Sequence, residues 1–436
     1  MRKYYLLAIF LLCALLLAGC APQQRAEDFP LPNNFALPEK HIYGFGEATH
    51  GSAEFTLARQ NIFAYLVQEH GVRAFCLEVN FSEGQKINTL LHGSTWNAVQ
   101  AAQELSAFAY RHNEMASLLQ WIRDYNASVS PDEQIRFYGF DCDQWRDGSI
   151  WLEAYLQRVS PEIAVDFSQT PLSTLRNKSR YAIEEETLSL CLNTMLALAE
   201  KMESNQQQYV AISSEEEYDI ALQTAKSLQH CILLWQADAD VRKLYREDLS
   251  EEEQTYILEQ SIAAGNLRDT YMAEHIAWIL EHEQKYYGRD AVFITGHNGH
   301  IMRENYHEAV RLGELLAMEY ADHYYAIGSD FGSGQFQAEN MKRPGSLKKF
   351  EVGEGSLAAY FKDTEGAVAF VEFASMHETE KEVFTRPQKL HTVGGAFSGE
   401  MQAAPDSYLM ELTPSECYDA LLYIKSIHAF QPYPYR

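Results

Sequence analysis

Four short apolar runs, each carrying an ionisable side chain at or near its C-terminal end, constrain the fold of this chain more than any other feature. They read IYGFGE ending at Glu47, RAFCLEV with Glu78 near its end, IRFYGFD ending at Asp141 and VFITGH ending at His297. The runs at 41–47, 73–79, 135–141 and 290–297, with a fifth at 324–331, have strand length, and the stretches between the early ones carry helical periodicity. That alternation predicts an α/β fold with a largely parallel central sheet flanked by helices. In open sheets of this kind ligands bind outside the C-terminal strand ends, so the four groups are expected along one rim. A helix cap or a solvated loop explains any one of them, Asp141 most easily. Four in the same place are harder to dismiss.

The segments around these ends sharpen the picture. After the first run the chain reads Gly46-Glu47-Ala48-Thr49-His50-Gly51-Ser52, in which glycines permit a tight strand-to-helix turn and Ser52 is a natural helix N-cap. Glu47 and His50 are then within reach of each other, and a carboxylate beside an imidazole fixes its tautomer and raises its basicity. On the following helix Arg59 falls on the same stripe as Phe55, Ile62, Phe63 and Leu66. A core-facing arginine requires a partner, and Glu78 is the expected one, either as a structural pair or with Arg59 holding a carboxylate or a developing oxyanion. After the fourth run, Gly296-His297-Asn298-Gly299-His300 offers His297 as a second site histidine and Asn298 as an oxyanion donor, with His300 expected outside the pocket. Arg268 and Asp269 are read either as a plain surface pair or as groups brought back to the pocket.

Between 145 and 288 the acidic, Leu- and Ala-rich segments read as helical throughout, a helical insertion suited to act as a lid. The α/β catalytic core is accordingly assigned to 39–144 and 289–436. Within its last part a strand is expected at 367–373 and an amphipathic helix near 414–428.

The first residues address the chain rather than fold it. Arg2 and Lys3 precede an apolar run to Leu17, shorter than the roughly 18 apolar residues a membrane span needs. Leu17-Ala18-Gly19-Cys20 has the form of a lipobox, so 1–19 is expected to be a signal peptide, Cys20 the lipidated residue and 20–38 a polar, proline-containing tether. Ala21 points to an outer-membrane or cell-surface location rather than the inner membrane. A formal net charge of −26 argues against nucleic acid as a partner. Of seven cysteines, Cys76, Cys142, Cys191, Cys231 and Cys417 remain after the leader and Cys20 are set aside. They show no metal-like pairing, and their spacing does not select a disulfide.

There is no G-x-S-x-G elbow, H-E-x-x-H, P-loop or dinucleotide-binding glycine unit. GEATHGSAEF with Arg59, LEVN around Glu78, WIRDYN (121–126), YGFD (138–141), NLRDTYMAE and GHNGHI together resemble the erythromycin esterase family, in order from about residue 40 to 335. The resemblance implies hydrolysis of a macrolide lactone by water without a covalent serine intermediate. It makes His50 the essential base and Glu47 its partner, with Arg59, Glu78 and His297 completing the cluster. The resemblance leaves metal dependence open: no cofactor is expected, but Glu47, His50 and His297 are residue types that bind zinc, and a metal-dependent hydrolase is the alternative. A haem- or small-ligand-binding surface lipoprotein is a third reading, which the absence of a Soret shift with haemin would remove. Resistance esterases of the family act in the cytoplasm, so the lipobox leaves the reaction class firmer than the substrate, a small-molecule ester or lactone.

Overall fold

The computed structural model describes residues 25–238, 249–304, 309–343 and 345–434, so the leader and Cys20 lie outside the described residues. Five parallel strands form at the expected places: β1 (Ile42–Glu47), β2 (Ala74–Asn80), β3 (Arg136–Asp141), β4 (Val292–His297) and β5 (Tyr324–Asn340). They are followed by β6 (Leu347–Val352), β7 (Val368–Glu372), β8 (Gln388–His391), β9 (Ala396–Phe397), β10 (Leu409–Leu412) and β11 (Ala420–Ile427). The main sheet has the order β3-β2-β4-β1-β5-β11-β7, with β6 and β9 on the far part of β5, and β8 pairs with β10 apart from it. From β3 to β11 neighbours are parallel; β7 on β11 and β6 on β5 are antiparallel. This is a mixed α/β fold with a mostly parallel sheet flanked by helices.

Alternation along the strands sends side chains to two separate cores. Tyr43, Phe45, Phe75, Leu77 and Phe293 pack on one face with Phe55, Ile62, Phe63 and Leu66 of helix α1 (Ala53–Glu69). Ile42, Cys76, Tyr138 and Ile294 pack on the other. Burial on both faces explains why the strands read as continuous apolar runs.

The connection from β1 runs toward β2 and β3, whereas the chain leaving β4 runs the other way to β5. β1 and β4 are neighbours, so the rim at their C-terminal ends is a topological switch point, where α/β sheets open a crevice.

Between Asp141 and Val292 the described residues hold helices and no strand. Trp145, Leu156, Cys191, Met195, Tyr218, Leu228 and Trp235 form an apolar cluster of their own there. The last of these helices, α2 (Glu251–Tyr287), opens with a Ser250–Glu253 capping box and lays Met272, Ile276 and Ile279 on the sheet. The long helix thus joins the helical region to the strands.

Two expectations fail. β5 extends to Asn340, well past 331, because its outer half pairs with β6 and β9. The amphipathic helix near 414–428 is a short helical turn, Pro414–Cys417, followed by strand β11. Ala420, Leu421, Leu422, Tyr423 and Ile424 are buried between β5 and β7. A continuous apolar run of that length has no periodicity that separates strand from helix.

Close packing holds β3 in place from the helix Phe81–His92 that follows β2. A Cβ on Gly84 would fall 1.9 Å from the backbone nitrogen of Gly139. Gly84→Ala must push helix and strand apart, and is expected to destabilise the fold by roughly 1–3 kcal/mol in urea unfolding, with Gln85→Ala on the same helix as a reference.

Candidate active site

The site begins with the register of two strands. Glu47 and His297 are direct partners at the ends of β1 and β4, which sets the catalytic candidates side by side without any loop conformation being chosen. Beyond Glu47 the chain turns into α1, capped as expected by the Ser52 hydroxyl accepting from the Glu54 amide. That turn brings His50 back over Glu47, whose Oε1 lies 2.7 Å from His50 Nδ1. The other oxygen, Oε2, accepts from Arg59 Nη2 at 2.6 Å.

Arg59 is wholly buried, and its partner is Glu47 rather than the expected Glu78. Nε donates to Thr295 Oγ1 at 2.9 Å, Nη1 to Thr56 at 3.4 Å, and the guanidinium lies 5.4 Å from the centre of the Tyr110 ring. Every arm of the fork is engaged behind Glu47. Arg59 thus stands behind Glu47 and does not line the adjoining cavity.

Glu78 serves a different set of partners. The β2–β3 register shifts between Leu77 and Asn80, and such irregularities re-aim side chains beside sites. The Glu78 carboxylate lies over Gly296, where any Cβ would come 2.5 Å from Oε2, and that oxygen accepts the His297 amide at 2.7 Å. Oε1 faces Arg268 Nη2 at 3.2 Å and His300 Nε2 at 3.4 Å. Burial opposes ionisation of Glu78, but His300, His50 and Arg268 together hold its carboxyl far below the ordinary carboxylate range.

Arg268 and Asp269 are therefore not a surface pair. Arg268 binds both oxygens of Asp141, with Nε at 2.9 Å from Oδ1. Asp269, fully buried, takes His300 Nδ1 at 2.7 Å and the Leu312 amide at 2.9 Å. His300 is not among the residues lining the adjoining cavity; it meets two carboxylates, whose charge outweighs burial and raises its pKa. For Asn298, the expected oxyanion donor, both ends of the amide are committed to the Ser329 backbone, donating to the carbonyl at 2.7 Å and accepting from the amide at 3.0 Å.

The two histidines differ in state. Their rings lie 5.1 Å apart. Burial disfavours the charged form of His50, yet the hydrogen bond and charge of Glu47, with Glu78 behind, raise its pKa above the usual value. Burial and the neighbouring His50 push His297 down to about 3. His297 Nδ1 accepts from the Gly299 amide at 3.2 Å, so the proton of the neutral ring sits on Nε2, which is buried without a protein partner among the described residues.

A cavity of about 230 Å³ adjoins this cluster, lined by His50, Glu78, Asn80, Ser106, Phe108, Tyr110, Asp141, Asp143, Arg268 and Gly395. A larger groove of about 650 Å³, between Trp96 and Trp151, carries Lys86, Glu104, Arg146 and Asp147 but no histidine. Ser106 and Gly395, on loops, and Phe108 and Tyr110, on a single 3₁₀ turn, escaped the sequence reading because none of these segments carries a periodic signal. Asp143 was legible only as the acid two residues past a strand end.

The residues do not fit a metal as placed. Both oxygens of Glu47 are taken by N–H groups, one of them a guanidinium, and among the described residues no three His, Cys, Asp or Glu side chains group as a metal ligand set.

The family model for erythromycin esterase matches residues 67–427. The chain belongs to the erythromycin esterase family. Erythromycin esterase type II of Escherichia coli is 24% identical over 342 residues, covering 73% of this chain and 75% of the relative. Erythromycin esterase type I of the same organism is 33% identical over 86 residues, 19% of this chain and 20% of the relative. Among solved structures, a mutant of the erythromycin esterase EreC in its open conformation superposes with a TM-score of 0.65 at 16% identity, over 90% of this chain and 92% of that one. A succinoglycan biosynthesis protein gives a TM-score of 0.70 at 18% identity, over 90% and 89% of the two chains. These structures share the fold.

Glu47→Gln removes the charge that holds the His50 proton. The His50 pKa, followed by NMR titration of the imidazole, is expected to fall from above 6.5 to below it, because burial is then less strongly opposed.

Proposed function

We propose that this member of the erythromycin esterase family hydrolyses a carboxylic ester or lactone by water that His50 activates. The observation that carries the reading is His50 at the cavity wall, held by Glu47 at 2.7 Å and with its ring centre 5.1 Å from that of His297, whose Nε2 has no protein partner among the described residues.

In this mechanism Glu47 keeps the shared proton on His50 Nδ1, leaving Nε2 with a lone pair for water. Arg59 and Thr295 hold Glu47 in that geometry. The hydroxide equivalent attacks the carbonyl carbon, and negative charge moves to the carbonyl oxygen. His297 Nε2–H and the Arg268 guanidinium are the donors that receive it. Glu78 and Asp141 hold the guanidinium in place, and no step requires a serine nucleophile.

The cavity is smaller than the 300–1,000 Å³ typical of drug-sized sites. We read the physiological substrate as a compact ester or lactone, or the reacting portion of a larger one. With Cys20 lipidated the enzyme would work at the outer membrane or cell surface, and Cys20→Ala is expected to move it from the membrane fraction to the soluble one.

The decisive assay is a screen of the purified protein over esters, lactones and amides with His50→Ala as blank. The variant is expected to fold and to lose at least roughly 10²-fold in kcat/KM; undiminished turnover would remove the mechanism. Because the acting form of His50 is neutral and its pKa is raised, kcat/KM should climb with pH through an inflection above 6.5. A rate flat across pH 6–8 counts against His50 as base.

A further inference from the structure

We propose that Asp143 is the general acid that protonates the departing alkoxide, an assignment that rests on the hydrolase reading above. An aliphatic alkoxide is a far stronger base than any side chain at this site, and it leaves readily only when a proton reaches it as the carbon–oxygen bond breaks. The base and oxyanion donors above include no acid other than the imidazolium that His50 becomes on deprotonating water.

Asp143 lies two residues beyond the end of β3 and lines the same cavity as His50, Tyr110 and Arg268. Its backbone is anchored, since its carbonyl accepts from Trp235 Nε1 at 2.9 Å and Trp235 packs on Trp145 with ring centres 4.5 Å apart. Its carboxyl, by contrast, makes no hydrogen bond or ion pair among the described residues. A fixed main chain under an uncommitted carboxyl at the wall of a cavity is what a proton donor requires.

Other groups on the wall are occupied or unsuitable. Glu78 is held ionised. Asp141 receives the Arg268 fork on both oxygens, and Arg268 keeps its proton. Burial drives the Tyr110 hydroxyl well above its ordinary range, which makes it a poor acid. His297 is a neutral hydrogen-bond donor rather than a proton source. For Asp143, burial and the adjacent Asp141 carboxylate push the pKa up to about 7, with Glu78 adding and Arg268 and Arg180 opposing. Glu83 and the thiols of Cys142 and Cys231 also face this region. The surroundings of Asp143 thus favour its protonated form.

The step balances. Water gives one proton to His50 Nε2 and its oxygen bonds to the acyl carbon. The acyl–oxygen bond to the leaving group breaks, its electron pair stays on the alkoxide, and that oxygen takes the Asp143 proton. His50 then releases its proton to solvent and Asp143 regains one, leaving acid and alcohol as products.

The test compares a p-nitrophenyl ester, whose leaving group needs no proton, with an ethyl ester of the same acid, using the full chain. Asp143→Asn is expected to lose roughly 10²-fold or more on the ethyl ester and under about tenfold on the activated one. His50→Ala should lose both. Equal losses on the two esters, or an unaffected ethyl ester, would overturn the assignment, the latter meaning that His50 itself returns the proton. Thermal melts check that Asp143→Asn folds. Should it not, the native enzyme decides: a falling limb near pH 7 for the ethyl ester, absent for the activated one, supports Asp143, and identical profiles refute it. Hydrolysis of neither ester by the native enzyme would instead overturn the hydrolase reading itself.

Discussion

The Glu47 carboxylate, shared between His50 and Arg59 beneath the rim of the sheet, is the interaction on which the rest of the site depends. A buried carboxylate is costly unless its lone pairs are met by good donors, and here each oxygen is met by one at 2.6–2.7 Å. Arg59 bridges α1 to β4 through Thr295. The same contact that neutralises Glu47 therefore sets the position of the first helix against the strand that carries His297. The His50 tautomer follows from that geometry.

A second network ties the helical region to the rim. Arg268 and Asp269 stand one after the other on the long helix α2 and reach in different directions, one to Asp141 and Glu78, the other to His300 and the Leu312 amide. Arg268 thereby puts the long helix into the wall of the cavity. Any shift of that helix would move a cation in the site and alter the charge around Glu78. The electrostatics of the site and the placement of the helical region are linked through one guanidinium.

Much of this was legible before the fold was known. Ionisable groups at four strand ends mark a rim, and an arginine on an apolar helix stripe marks a buried ion pair. Both readings are local and follow from periods of 2 and 3.6 residues. The partner of Arg59 was misassigned because Glu47 and Glu78 sit on strands separated by β4, and only the strand order shows that Glu47 is the nearer. Asn298 looked like a donor because its chemistry allowed it. Its two bonds to Ser329 depend on β5 passing alongside β1, a contact distant in sequence. The run at 420–427 has too little periodicity to declare itself a strand until β5 and β7 flank it.

The sequence by itself determined the α/β class, the rim and the Glu47–His50 turn, because each rests on side-chain periodicity and on turns only a few residues long. Tertiary structure alone decided which carboxylate met which cation, which histidine was pushed toward its neutral form and, among the described residues, that the Asp143 carboxyl at the cavity wall has no partner. Pairing and protonation depend on distance and desolvation in three dimensions, and those distances are set by the order and register of the strands.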